Sequence, residues 1–523
     1  MRINKLNFQL NLTEWVMTDF KMKACMIDIS RFRVPTMERM KLMLKNISET
    51  GYDTVFFNIE HTFKIPEHPM IGFEADGFEM MEFKEMSDFA DGINLSLVPL
   101  IQSFGHMFHI LKWDEYDNLA ESDDKWSVSV SDQTYELIDD LYMRASQVFN
   151  SEYIHIGGDE VYDMATGKSA PLLQYITKDE LFLNHILKLK EIAARHDRKI
   201  VLWGDMIDKN PEVMKKLGSD TVVCYWNYDF KEMPESYKNI DAKILVCPGT
   251  NTWKSFFPRY DYAVRNFKLM KERADELKAF GFMITDWGDA GHIHPFSITE
   301  NLFNTAFKVL NDDLVEKNYV RDEINNIIKR LDEVHYADYL NSVCVRNKPE
   351  YVTKLLFHDN PFSGKCFADQ SVLMLNGLLD RIGEVRRSLK GVEFNNEFEL
   401  DIKLFADQTI LFKKKIELHL AIRKNSAAVK VSRLIEEYIV EQRRWFADYM
   451  KSWLASSQPM GLYFHIHFMK KIERDLLHSQ YKHYGTEYEK IPKKNLYDDP
   501  EYLNLFSVGN ADALKKLWEN ALL

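Results

Sequence analysis

The sequence contains 523 residues, of which 46% are hydrophobic and 28% are charged, and it carries a formal net charge of -13. This composition is typical of a soluble globular protein and does not indicate disorder. The acidic balance argues against nucleic acid as a partner, because phosphate binding requires clustered lysine and arginine. The length exceeds what one hydrophobic core normally supports, so the sequence predicts two domains.

The sequence offers no targeting or membrane signal. Its first eight residues lack an apolar core of signal-peptide length, and no run approaches the ~18 apolar residues of a membrane span. We therefore expect a cytoplasmic protein that binds no membrane. The cysteines are odd in number and lack C-x-x-C spacing, which predicts reduced thiols and neither disulfides nor a zinc cage. They are Cys25, Cys224, Cys247, Cys344 and Cys366.

From residue 24 to about residue 310, the sequence repeats an apolar strand, a loop and an amphipathic helical stretch. Eight such units predict an α/β fold, a closed (β/α)8 TIM barrel with its chemistry on the loops after the strands. An open doubly wound sheet is the alternative, but no G-x-G-x-x-G motif follows any strand. The predicted strands cover residues 24–29, 54–59, 95–101, 153–157, 200–203, 221–226, 244–247 and 282–286.

After about residue 312 the strand-like runs stop and long helical periodicities follow, as at Leu434, Tyr438, Trp445 and Tyr449. We predict a short extension over residues 1–20, a catalytic barrel over residues 21–312 and a mostly α-helical domain over residues 313–523. Loops at residues 360–364 and 458–461 are expected to separate helices of that domain. Its aromatic stripes are interpreted as core.

One stretch, from Tyr153 to Glu160, joins a buried strand to two acids. Bulky residues alternate along the strand, Gly157 and Gly158 permit a tight turn, and Asp159 and Glu160 follow at its end. Charges at the end of a buried strand are costly, because desolvation raises the pKa of a carboxyl group. Active sites that need one protonated and one ionised carboxyl are built in this way. A solvated acidic turn is the alternative interpretation.

Polar and aromatic residues also follow the other predicted strands. Because successive strand residues point to opposite faces, a tryptophan and a polar residue two positions later share one side. Indoles interleaved with carboxylates and an arginine suit a pyranose, whose apolar face stacks and whose hydroxyls form hydrogen bonds. The residues predicted to share this mouth are Arg31, His106, Trp203, Asp205, Trp226, Tyr228, Trp287 and Asp289.

A metal site is the alternative interpretation of the same strand ends. His61 and His106 are potential ligands beside Asp28, Glu60 and Asp159. No pair of these residues has the i, i+4 spacing of ligands on one helix. We therefore predict neither a metal nor another cofactor.

The segment from His155 to Glu160 reads H-I-G-G-D-E and resembles the H-x-G-G-D-E signature of glycoside hydrolase family 20, the β-N-acetylhexosaminidases. The segment from Asp28 to Arg31 is similar to that family's first-strand D-x-x-R. Segments 100–106, 247–253 and 285–292 most resemble the branch that contains hexosaminidase D and the streptococcal exo-β-hexosaminidase. The resemblance covers the whole predicted barrel, and a helical C-terminal domain is similar to that branch.

This resemblance implies a retaining exo-hydrolase that removes terminal β-linked N-acetylglucosamine or N-acetylgalactosamine, with the substrate's 2-acetamido oxygen as nucleophile. It implies that Glu160 is the acid and then the base, and that Asp159 orients the acetamido group. Arg31 and Asp289 are expected to bind ring hydroxyls, and His106 to support the acid or contact the substrate. The implied walls of the acetamido pocket are Trp203, Trp226 and Trp287.

Two expected features depart from the family pattern. Many members place a tyrosine on the seventh strand to bind the acetamido oxygen, whereas residues 246–251 read V-C-P-G-T-N here. Tyr228, or else Tyr225, is expected to supply that phenol. We also expect the family's N-terminal α/β domain to be missing. The branch implies a homodimer, and a non-catalytic hexosamine-binding protein is the alternative function.

Overall fold

A computed structural model describes residues 20–73, 76–208, 215–289, 291–311, 320–335, 360–363 and 370–484. Within these residues, eight parallel strands close into a barrel in chain order, so the predicted TIM barrel is confirmed. Each predicted strand overlaps an observed one. The strands are β1 (Met22–Asp28), β2 (Thr54–Asn58), β3 (Ser96–Leu100), β4 (Tyr153–His155), β5 (Lys199–Trp203), β6 (Val222–Trp226), β7 (Lys243–Cys247) and β8 (Gly281–Asp286).

The barrel closes where β1 pairs with β8, from Met22 opposite Gly281 to Ile27 opposite Asp286. A Cβ atom on Gly281 would lie 2.1 Å from the carbonyl oxygen of Met22. Because backbone atoms cannot yield at that distance, the start of the closing strand requires glycine.

The strands are apolar on both faces because the barrel has a core on each side of its wall. Along β1, Ala24 and Met26 belong to the cluster inside the barrel, whereas Cys25 and Ile27 pack in the cluster that includes the surrounding helices. This double burial explains why the strands read as continuous apolar runs in the sequence.

Helices follow the strands and cover the barrel. Polar residues at the helix starts accept backbone hydrogen bonds: Thr36, Ser131 and Thr177 cap the helices that begin at residues 37, 132 and 178. The helices of this region are α1 (Met37–Thr50), α2 (Met80–Asp91), α3 (Phe108–Leu111), α4 (Asp132–Val148), α5 (Lys178–Arg195), α6 (Tyr260–Leu277) and α7 (Phe296–Leu310). Short 3₁₀ helices cover Asp114–Leu119, Ala170–Gln174 and Glu235–Asn239.

The described part of the C-terminal region is helical, as predicted. Tyr438, Trp445 and Tyr449 are buried along one of its helices, and a turn at residues 458–461 separates that helix from the next. The helices are α8 (Asp322–His335), α9 (Val372–Ser388), α10 (Glu397–Arg423), α11 (Ala428–Ser456) and α12 (Leu462–Tyr484).

Several predictions fall partly or wholly outside the described residues. Residues 1–19, the boundary near residue 312, Cys344 and Cys366 belong to this group, so the predicted domain limits stay predictions. Among the described cysteines, Cys25, Cys224 and Cys247 are buried and form no disulfide. None of the described helices has the length and apolar character needed to cross a membrane.

Arg33 joins the barrel mouth to the C-terminal helices. Its guanidinium donates hydrogen bonds to the carbonyl oxygen of His294 at 2.8 Å and to Ser457 Oγ at 2.9 Å. It also lies 4.4 Å from the ring centroid of Trp453, and its side chain is fully buried. The loop after β1 and the loop after β8 are thereby held against α11.

We expect Arg33→Met to lower the free energy of unfolding by about 1–3 kcal/mol, because it leaves buried acceptors without a donor. Arg444→Met, which changes an exposed arginine on α11, is the matched control and should stay within about 0.5 kcal/mol of the wild type. Chemical denaturation of both variants measures the difference. Equal unfolding midpoints would contradict this account of Arg33.

Candidate active site

A cavity of about 140 Å³ lies at the carboxyl ends of the barrel strands. Every residue predicted to share the mouth lines it except Asp205, and Trp253 lines it in addition. The lining residues are Arg31, His106, Asp159, Glu160, Trp203, Trp226, Tyr228, Trp253, Trp287 and Asp289. Parallel strands that end at one face of a barrel bring together residues up to 258 positions apart, from Arg31 to Asp289.

The two adjacent acids follow β4 on a tightly turned segment. Gly157 and Gly158 adopt positive φ angles of 71° and 88°, and Glu160 adopts 50°. A Cβ atom on Gly157 would lie 1.8 Å from Gln102 Oε1. The first glycine of the motif is therefore favoured both by the backbone conformation and by the close approach of Gln102, two residues after the end of β3.

Two side chains hold the strained backbone of Glu160. Its N–H donates to Asp205 Oδ2 at 3.1 Å, and its carbonyl oxygen accepts a hydrogen bond from Trp126 Nε1 at 2.7 Å. A left-handed conformation in a non-glycine residue costs about 1–3 kcal/mol and persists when its surroundings hold it. The structure thus fixes the direction in which the Glu160 carboxyl projects.

Asp159 is buried and faces a cation. Its Oδ2 lies 3.1 Å from His106 Nε2, and its Oδ1 accepts a hydrogen bond from Gln102 Nε2 at 3.3 Å. Burial by itself would raise the pKa of Asp159, but the charge of His106 and these contacts lower it below its ordinary value. Burial opposes protonation of His106, yet Asp159 raises the pKa of His106 to about 9. An ionised Asp159 beside a protonated His106 is the state that follows.

Arg31 is held at the cavity by a buried acid that sequence reasoning considered only as a metal ligand. Arg31 Nη1 lies 2.5 Å from Glu60 Oε1. Burial lowers the pKa of Arg31, but Glu60 and Asp28 outweigh it and raise that pKa. Burial raises the pKa of Glu60, which Arg31 and His106 only partly offset. Arg31 is therefore charged and fixed in direction.

Aromatic rings form the rest of the lining. The Trp226 and Tyr228 rings stack with centroids 5.3 Å apart, and Tyr228 lies 5.1 Å from Trp253. Trp287 Nε1 donates to Tyr228 Oη at 3.0 Å. Tyr225 packs on Tyr237 in the outer core, so Tyr228 is the tyrosine that reaches the cavity.

Trp253 was missed, although it ends one of the segments that carried the family resemblance. It follows β7 by six residues, too far for strand alternation to assign its direction.

Asp205 lies behind the cavity lining. One oxygen accepts the Glu160 N–H, and the other accepts a hydrogen bond from Trp226 Nε1 at 3.4 Å. Burial, followed by the nearby charge of Asp159, raises the pKa of Asp205 to about 7. The structure places this residue as a link between Glu160 and Trp226.

Among the described residues, Asp286, His292 and His294 alone bring three potential metal ligand atoms within 4.8 Å of one another. Both oxygens of the Asp286 carboxylate already accept hydrogen bonds from threonine hydroxyls. We therefore interpret Asp286 as a structural hydrogen-bond acceptor. The donors are Thr250, Thr252 and Thr299, each at 2.8 Å. In the part of the chain that the structure describes, His61 and His106 do not belong to such a group. His61 stacks on His109 with ring centroids 4.2 Å apart, and His106 Nε2 lies 3.1 Å from Asp159 Oδ2.

Comparison with known proteins finds a likeness to one enzyme family. Residues 80–262, which include both adjacent acids, match the catalytic domain of glycosyl hydrolase family 20. This chain is 22% identical over 371 residues to beta-hexosaminidase 3 of Arabidopsis thaliana, and the alignment covers 66% of each protein.

It is also 26% identical over 175 residues to hexosaminidase D of Bos taurus, which covers 31% of this chain and 49% of that protein. This chain thus spans no more than about two thirds of the length of these relatives. A solved structure of Flavobacterium johnsoniae chitobiase aligns with a TM-score of 0.48 at 16% identity, and covers 80% of this chain and 75% of that one.

We expect Gly157→Ala to destabilise the protein more than Gly391→Ala does. Both glycines have similar positive φ angles, 71° and 74°, but no atom lies within 4 Å of a Cβ on Gly391. Backbone strain is therefore matched, and only Gly157→Ala adds a clash, with Gln102. Thermal unfolding of the two variants measures this difference. Equal decreases in the unfolding temperature would contradict the crowding of Gly157 by Gln102.

We expect the ring of His106 to titrate near pH 9. Because this folded pKa lies above the unfolded value of about 6.5, its stabilising contribution is fully present below about pH 6.5 and is lost as pH rises through about 9. NMR of the histidine ring measures the midpoint directly. In Asp159→Asn the midpoint should fall, and a wild-type midpoint near 6.5 would contradict the ion pair.

Proposed function

We propose that this chain is an exo-acting, retaining β-N-acetylhexosaminidase. It removes terminal, non-reducing β-linked N-acetylglucosamine or N-acetylgalactosamine from oligosaccharides or glycoconjugates. The observation that carries this proposal is the adjacency of Asp159 and Glu160 in one small cavity that is otherwise lined largely by indoles. Aromatic walls with a few directed polar groups suit one sugar ring.

In the first step, the substrate's acetamido oxygen attacks C1 and the bond from C1 to the glycosidic oxygen breaks. Glu160 gives its proton to that leaving oxygen, so no charge develops there. The sugar becomes an oxazolinium ion with a positive charge. Asp159 is suited to accept the acetamido N–H and to balance this charge, because its lowered pKa keeps it ionised.

In the second step, Glu160 takes a proton from water, whose oxygen attacks C1 from the side that the aglycone left. The bond from C1 to the acetamido oxygen breaks, and the product keeps the β configuration. Glu160 ends the cycle protonated. Every step uses the chain's own side chains and the substrate's amide.

The remaining lining supports one sugar in a fixed position. Arg31, held by Glu60, and Asp289 are the groups proposed to bind the ring hydroxyls. The rings of Trp203, Trp226 and Trp287 are proposed to enclose the acetamido group and the ring face. Tyr228 is proposed to contact the acetamido oxygen, with its hydroxyl placed by Trp287 and by Thr285 Oγ1 at 2.8 Å.

We expect Glu160→Gln to lower kcat on a nitrophenyl N-acetylhexosaminide by about 10²–10⁴-fold, since the variant cannot transfer the proton. Asp159→Asn should also lower kcat strongly. The matched control is Glu152→Gln, which changes an exposed glutamate just before β4, at the opposite end of the strand, and should keep the wild-type rate. Steady-state kinetics measures all three.

Wild-type rates in both site variants would overturn the proposal. Equal cleavage of a glucoside that lacks the acetamido group would overturn the substrate-assisted step. Hexosamine binding by calorimetry without product release from the wild type would favour the sugar-binding alternative.

A further inference from the structure

A row of aromatic rings leads from the cavity to solvent beside Glu160. The ring centroid of Trp126 lies 4.4 Å from that of His106, which lines the cavity. The Tyr162 ring lies 6.3 Å beyond Trp126, at an interplanar angle of 21°. Exposure increases outward, because the His106 side chain is 14% exposed and Tyr162 is 68% exposed.

Both outer residues are fixed relative to Glu160. The carbonyl oxygen of Glu160 accepts hydrogen bonds from Trp126 Nε1 at 2.7 Å and from the backbone N–H of Tyr162 at 2.8 Å. Partial burial, and then contact with the Glu160 carboxyl, raise the pKa of the Tyr162 phenol. The two rings are therefore positioned against the group that the proposed function assigns as the proton donor.

The exposure of Tyr162 leaves an aromatic face that the fold does not use. A ring that is already ordered loses little entropy when a ligand stacks on it, so the burial of its face favours binding. Since Tyr162 is 68% exposed, its ring also contributes little to the core.

We propose that Trp126 and Tyr162 form a subsite for the leaving group, and that this subsite takes a second pyranose ring through its flat apolar face. This inference rests on the proposed function, because a donor that protonates the glycosidic oxygen faces the aglycone. The leaving sugar then lies on the Glu160 side of the cavity, next to these two rings. An aglycone without a flat face gains nothing from them.

The experiment compares Tyr162→Ala with Tyr162→Phe, which loses the same hydroxyl contact with Glu160 but keeps the ring, on three substrates: methyl, nitrophenyl and disaccharide N-acetylglucosaminides. Relative to Tyr162→Phe, we expect kcat/KM of Tyr162→Ala to fall about 3- to 10-fold for the disaccharide and the nitrophenyl glycoside, and to stay within about twofold for the methyl glycoside. Inhibition by a monosaccharide thiazoline, which occupies only the cavity, should be unchanged.

Tyr162→Phe keeps the ring and removes the hydroxyl, so it should keep the preference for ring-bearing aglycones. The matched control is Tyr481→Ala, an exposed tyrosine on α12, which should alter none of the three substrates. A 3- to 10-fold loss on all three substrates would overturn the subsite and assign Tyr162 to the support of Glu160. Unchanged kinetics on the disaccharide would also overturn it.

Calorimetry separates this inference from the proposed function. In a Glu160→Gln background, Tyr162→Ala should weaken binding of the disaccharide and leave binding of the methyl glycoside unchanged. If the proposed function is wrong, the wild type will cleave none of the substrates. If only the subsite is wrong, Tyr162→Ala will change the binding of both ligands equally.

Discussion

The buried ion pair between Asp159 and His106 is the interaction on which the charge state of the cavity depends. A carboxylate removed from water would normally take up a proton, and the imidazolium at 3.1 Å prevents this. The same contact keeps His106 charged, and Glu60 beyond it adds to that effect while it holds Arg31. Charge in this cavity therefore alternates in sign, which allows several ionised groups to remain buried together.

The direction of Glu160 depends on the backbone more than on its own side chain. Its left-handed conformation would relax without the hydrogen bonds from Trp126 and to Asp205. Because Asp205 also accepts the Trp226 N–H, Glu160 and one wall of the cavity are held by the same carboxylate. Hydrogen bonds therefore link Glu160 to Trp226 through Asp205, and also to Trp126 and to the backbone of Tyr162.

The C-terminal helices support this arrangement from outside the barrel. Arg33 ties the loops after β1 and β8 to α11, and Tyr449 donates a hydrogen bond to Ile293 in the second of these loops at 2.8 Å. The same loop carries Gly288, whose N–H donates to the Asp28 carboxylate at 2.9 Å. Arg31 and Trp287 therefore lie on segments whose positions the helical region helps to set.

The sequence by itself determined the features that follow from periodicity or covalent adjacency. All eight strands appear in the sequence as apolar runs because both faces of each strand are buried. Asp159 and Glu160 are consecutive residues, so the sequence alone places the two acids next to each other. Contacts between distant segments were decided only by the tertiary structure. These include Glu60 against Arg31, Trp126 against Glu160, and Trp253 in the lining. The physical reason is that such contacts depend on where loops from different strands meet, and local spacing does not encode that position.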